Sequence, residues 1–265
     1  MNTNFKTLLL GTSLSLIPNI TYAQCAVTDC QQLGYTSLQK CDNGLKCPFG
    51  EYWACPKEET AVLGQCTGYA KNCSIGQILN SDGTCTTDKV SGKTPIGVVV
   101  YIGGDNCGQA LALNDLGSRL WSTELVDIPD LPNYTNTSAA EKDFDSCGNT
   151  QKIIKYGNAD KYPAAWATVN YSPSAAPATK GKWCLPAAGI ARSMINNYDK
   201  INSGLSKAGV ESLPSVSFSS HSYWTSSEEN SGNAWDWCYC NYYLQTNGKD
   251  YGYNGNGYVR PVIAF

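Results

Sequence analysis

Charge is what this sequence has least of: Asp, Glu, Lys and Arg make up 15% of its 265 residues, where globular chains carry about a quarter. The 19 basic and 22 acidic residues nearly balance, and no basic tract occurs, so the electrostatic footprint of a nucleic-acid binder is missing. Histidine occurs once, as His221, in a Ser-rich stretch. Without a G-x-S-x-G elbow, it gives imidazole-based catalysis little to work with. The carboxylates Glu228 and Glu229 are adjacent, and neighbours on a chain rarely flank a glycosidic bond. No C-x-x-C pair occurs, and no histidine lies near Cys41 and Cys47, so a zinc knuckle lacks its ligands. These absences lead us to expect a protein that is not an enzyme and has no cofactor or metal.

Long apolar runs are scarce as well. The run from Leu8 to Ile17 follows Lys6, is too short to span a bilayer, and gives way to Pro18 and Asn19. It ends in Thr21-Tyr22-Ala23, so residues 1–23 read as a secretory signal peptide. Gln24 before Cys25 is bulkier than lipid-attachment signals want. No later stretch is apolar enough to cross a membrane. The expected location is outside the cytoplasm: secreted, on the cell surface or in the periplasm. All 13 cysteines lie beyond the leader, and in an oxidising compartment most should form disulfides. The odd count leaves at least one free or joined to another chain, a route to an oligomer.

Eight cysteines, at 25, 30, 41, 47, 55, 66, 73 and 85, crowd a stretch poor in aliphatic residues. A segment that buries so little core needs cross-links, so residues 24–85 are expected to form a disulfide module. Residues 86–95, "TTDKVSGKTP", read as a linker, and 96–265 as a second domain. "IGVVVYIGG" predicts a buried strand that opens it, "GQALALNDLGSRLW" a second strand and turn, and "DSCGNTQKIIKYG" a short helix. Residues 127–150 look like a loop region. The spacing of Ile190, Met194, Ile195 and Tyr198 predicts a helix over 187–201, with another over "INSGLSKAGV". "AWDWCYCNYYLQ" predicts a strand, Asn247-Gly248 the turn of a tight hairpin, and "YVRPVIAF" a closing strand. The fold class is α+β, with the domain's first and last strands in one sheet.

Several motifs occurring in order, "PIGVVVYIGG", "GKWCLPAAGIARSMIN", "YWTSSE", "NAWDW" and "YVRPVIAF", are similar to the bacterial Lcl C-terminal and Fibrobacter major paralogous domains. The resemblance covers roughly residues 95–265. It implies a C-type lectin-like fold and a surface or secreted protein that binds polysaccharide or mediates adhesion. It also implies packing roles for Tyr223, Trp224, Trp235 and Tyr258, with Arg260 hydrogen-bonded or paired with Glu228. The helix start, Leu185-Pro186-Ala187-Ala188-Gly189, departs from the family's more polar stretch. The Glu-Pro-Asn and Gln-Pro-Asp loops that hold calcium in many animal lectins do not occur, so no obligatory calcium is expected.

Side chains alternate along a strand. Trp235, Trp237 and Tyr239 therefore share one face, and Ala234, Asp236, Cys238, Cys240, Tyr242 and Leu244 the other. Periodicity leaves the inward face open; the resemblance turns the Trp face inward. A turn at Asn247-Gly248 would then set Tyr242 opposite Tyr253 and Leu244 opposite Tyr251, and continue the outward face into "YGYNGNG". The candidate ligand-binding residues are Asp236, Tyr242, Tyr251, Tyr253, Asn254 and Asn256. Rings that stack on sugars and amides that bond hydroxyls suit an extracellular glycan or a surface protein as partner. Cys238 and Cys240, two apart on a strand, are poorly placed to bridge each other. An adhesin-like binder is the leading expectation. The alternatives are a structural or interaction protein of the cell envelope and a receptor-type protein diversified by a retroelement.

Overall fold

The computed structural model describes Gln39–Lys40, Trp53–Ala54, and residues 60–214, 222–238, 242–250 and 257–265. It divides into two compact units, Met1–Glu59 and Thr60–Phe265. In the first, strands β1 (Gln39–Lys40) and β2 (Trp53–Ala54) pair antiparallel. The leader and the cysteines at 25, 30, 41, 47 and 55 lie outside the described residues.

The second unit is α+β and starts earlier than its sequence suggests. Strands β3 (Ile78–Asn80) and β4 (Cys85–Thr86) pair with each other, and β3 pairs with β5 (Pro95–Ile102). Residues 87–94 thus connect two strands of one sheet, and the boundary lies at residue 60 instead of 85. Cross-links explain why a segment with few aliphatics belongs here: Cys66 bonds Cys107 across the expected boundary, and Cys73 bonds Cys85. Ile78 and Leu79 are fully buried, an apolar contribution the cysteine spacing masks.

The six-stranded sheet runs β4-β3-β5-β6-β12-β7, with β6 at Gly108–Ala112, β7 at Trp183–Cys184 and β12 at Val262–Ala264. The first predicted strand and the closing one therefore share a sheet. Val98, Val100 and Leu111 face a core with Ile190, Met194, Ile201 and Leu205. Ile96, Val99 and Ala110 face another with Trp183, Ile263 and Phe265. Cover on both faces is why "IGVVV" is continuous rather than alternating.

The α-helices among the described residues are α1 (Thr137–Ala140), α2 (Ser146–Tyr156), α3 (Pro163–Asn170), α4 (Ala188–Asn196) and α5 (Tyr198–Ala208). Asp145 caps α2 by accepting from Gly148 N at 2.9 Å. Helices α4 and α5 are the two expected helices, but they divide at Asn197, inside the span expected for the first of them. Gly204 lets α5 approach the sheet: a Cβ there would stand 2.2 Å from Gly76 O. Cys147 bonds Cys184, fastening α2 to β7.

The second sheet runs β10-β9-β8-β11, with β8 at Ser222–Glu228, β9 at Asn233–Cys238, β10 at Tyr243–Gly248 and β11 at Gly257–Tyr258. Its hairpin differs from expectation. Asn247 pairs with Ala234 and Gly248 with Asn233 inside the β9–β10 ladder, so Asn247-Gly248 is strand and not the turn between β9 and β10. The ladder's aromatic cross-strand packing outweighs the local Asn-Gly preference.

Candidate functional site

The expected outward patch is not assembled as one surface. Trp235 and Trp237 do face the main core, with Tyr223 stacked on Trp237 at 4.6 Å. The opposite face of β9 is covered too, since Ala234 joins a third core with Trp121, Ile153, Tyr162 and Trp224. Asp236 is therefore fully buried and cannot meet a ligand. Its Oδ2 accepts from Asn247 Nδ2. Burial, opposed by hydrogen bonds from Asn247, Gln245 and Ser222, raises its pKa to about 6. Leu244 is buried as well. Tyr251, Tyr253, Asn254 and Asn256 lie outside the described residues, as does His221.

Of the candidates, Tyr242 alone is described and exposed, at 42%, and Tyr243 beside it is 39% exposed. The hairpin turn explains the exposure: Tyr242 takes a left-handed backbone, φ 55°, which throws its side chain off the ladder. Such a conformation is costly for a bulky residue and is held by surrounding contacts. One is the Arg192 Nη1 donation to Tyr242 O at 3.4 Å. Another is the ring of Tyr198, which meets that of Tyr242 edge to face with centroids 5.6 Å apart.

Tyr198 begins α5 directly after the α4–α5 break, and no signal in the sequence marked it as anything but a core position of one helix. Its hydroxyl shares its one proton between the Leu213 and Pro214 carbonyls at 3.2 and 3.1 Å, so the ring is fixed in place. Burial raises the hydroxyl's pKa, keeping it protonated. Around these two rings Ile195, Asn196, Asn197, Asp199 and Lys200 complete a groove of ≈ 330 Å³. Asn197 is committed to Ser193 O at 3.0 Å; Asn196, Asp199 and Lys200 are exposed. The site offers two fixed rings, amides and one charge of each sign.

The resemblance-based pairing of Arg260 with Glu228 does not form. Arg260 donates to Ala112 O at 2.9 Å and Leu113 O at 2.8 Å, and its Nε lies 3.4 Å from Asp115. Glu228 instead meets Lys249, both fully buried. Burial pushes Glu228 up and Lys249 down, and each partner opposes the shift of the other. Lys249 also donates to Val126 O at 2.7 Å and lies 4.8 Å over the Trp121 ring. Glu228 is thus committed to the interior, while Glu229 accepts from Asn233 Nδ2 at 3.0 Å. Cys238 is disulfide-bonded, so it is not the unpaired thiol; its partner lies outside the described residues. Cys66, Asp105 and Cys107 cluster closely enough for a metal ion, but the two sulfurs bond each other.

No family model matches this sequence, and no curated protein does. A fimbrial protein from Bacteroides ovatus ATCC 8483 is similar in structure, with a TM-score of 0.50 and 17% identity. The match covers 72% of this chain and 48% of that one, so this chain spans about half the length of its neighbour. At that identity the likeness is one of fold.

Proposed function

We propose that this is a secreted or surface-exposed binding protein whose C-terminal unit is a C-type lectin-like domain, and that it recognises a glycan or surface ligand without transforming it. The observation that carries this reading is the tyrosine shelf: Tyr242 and Tyr198 set edge to face over a groove lined by Asn196, Asp199 and Lys200. Fixed rings lose little freedom on binding and stack on apolar faces of sugars, and amides and charges of both signs satisfy hydroxyls. Support for the location comes from the disulfides of the described unit and from the expected leader. Among the described residues no helix is long and apolar enough to cross a membrane. The lectin-like reading draws on β6 and β12, which join the unit's front and closing strands in one sheet beside two helices and a returning hairpin. The fold likeness to a fimbrial protein favours an adhesin-like role. The test is a glycan array and a cell-binding assay with wild type beside Tyr242→Ala. Ligand-dependent signal lost in the variant supports the reading, and blank assays with folded wild type would remove it.

The same likeness favours a second reading, a structural module of an envelope assembly, joined through the cysteine left over from an odd count. Non-reducing electrophoresis of the exported protein separates the two, since a disulfide-linked ladder is required by that version of the second.

A further inference from the structure

Near the start of helix α4 stands a second exposed aromatic platform. Phe144, 40% exposed, stacks on Tyr101 with centroids 4.8 Å apart and planes 18° from parallel. It lies over the start of α4, where a Cβ at Gly189 would stand 2.8 Å from its ring; only glycine leaves room for the ring at that distance. Between the platforms Arg192 pairs with Glu141 at 2.6 Å and also donates to Tyr242 O. Gly189, Arg192 and Asn196 fall at i, i+3 and i+7, on one side of the helix. From Gly189 to Asn196 the helix rises about 10 Å, longer than one sugar ring is wide.

We propose that the site takes an uncharged, linear oligosaccharide laid along α4, with the Tyr242–Tyr198 pair holding one part and the Phe144–Tyr101 stack another. This rests on the glycan-binding reading above and adds the ligand's length and charge. Charge along the band argues for an uncharged chain. Arg192 is neutralised by Glu141, Asp199 stands beside Lys200, and the Asp105 carboxylate acts on the Tyr101 hydroxyl, so no positive excess remains to balance a sulfate, phosphate or uronate. Rings at two separated places would go unused by a single sugar.

The experiment uses the mature chain and labelled glucan, mannan and galactan oligosaccharides from mono- to hexasaccharide, with heparin fragments as the anionic arm. Affinity for an uncharged series should climb with length. Phe144→Leu, which keeps apolar cover over Gly189 but removes the ring face, should lower affinity for the longer members by about tenfold, the worth of one aromatic contact. It should leave the shortest binders unchanged, whereas Tyr242→Ala should weaken all of them. Melting temperatures of the variants check that the fold is kept. Length-independent affinity, or no effect of Phe144→Leu, overturns the extended site while leaving the shelf; preference for heparin overturns the charge argument. Absence of binding to every member overturns the underlying glycan reading along with it.

Discussion

Lys249 and Glu228 meet in an ion pair from which solvent is wholly excluded. The pair ties β10's end to β8. Through Lys249 O, which accepts from Trp121 N and Ser122 N at 3.0 Å each, it also holds the segment leading into the third core. A buried charge left without its partner costs about 3–5 kcal/mol, whereas replacing both ions with apolar side chains is often neutral. Lys249→Met or Glu228→Leu alone should therefore destabilise by that amount in urea unfolding, and the double variant should recover most of the loss. Additive losses in the double variant would show that the pair is not coupled.

Asp236 makes stability depend on pH in an unusual direction. Its folded pKa of about 6 lies above the ordinary 3.8, so the folded state holds a proton the unfolded state releases. Its contribution is fully present below pH 3.8 and is lost as pH rises through about 6. Asp236→Asn should unfold with a flatter pH profile than wild type and be more stable by roughly 3 kcal/mol at neutral pH. Denaturation midpoints at mildly acidic and neutral pH measure this. Equal slopes for the two proteins would mean that Asp236 is ionised throughout.

The compact unit starts at Thr60, and the Cys66–Cys107 bond ties its first residues to the connection between β5 and β6. Limited proteolysis should leave a resistant fragment beginning near residue 60, and residues 60–265 should fold when expressed alone in an oxidising host. Replacing both cysteines with alanine should cost about 2–4 kcal/mol, read as a lowered urea midpoint. A resistant fragment that begins near residue 95 would restore the boundary suggested by the cysteine spacing.

Gly257 sits at a close approach in the second sheet. A Cβ there would stand 2.2 Å from Trp224 Nε1 and 2.7 Å from Arg119 O, where that indole donates at 2.9 Å. Gly257→Ala must displace a buried tryptophan and its hydrogen bond, a loss of about 1–3 kcal/mol from overpacking visible in thermal melts. No loss would mean that Trp224 has room to shift.

The strands and helices with a strong pattern were legible from the residues. "IGVVV" and "YVRPVIAF" made β5 and β12, and Ile190, Met194 and Ile195 marked α4. Helix α3, rich in alanine, showed no period that would reveal it. What misled was local chemistry overruled by packing. Asn247-Gly248 favours a turn yet sits in a ladder, and the crowded cysteines hid Ile78 and Leu79 as sheet residues. At the site, Tyr242 was legible as an exposed ring. Asp236 was placed outward because the resemblance turned the Trp face inward and left the other face to solvent, and here both faces of β9 are covered. Tyr198 and Phe144 could not be found, because their role depends on the break at Asn197 and on contacts across 44 and 43 residues of chain to Tyr242 and Tyr101.

Recognition through the ring pair at the α4–α5 break is tested most directly by glycan-array binding of the mature chain beside Tyr242→Ala. Wild type should retain at least one glycan, and the variant, unchanged in melting temperature, should bind it about tenfold more weakly or worse. Equal binding by both proteins, or none by a folded wild type, would contradict it.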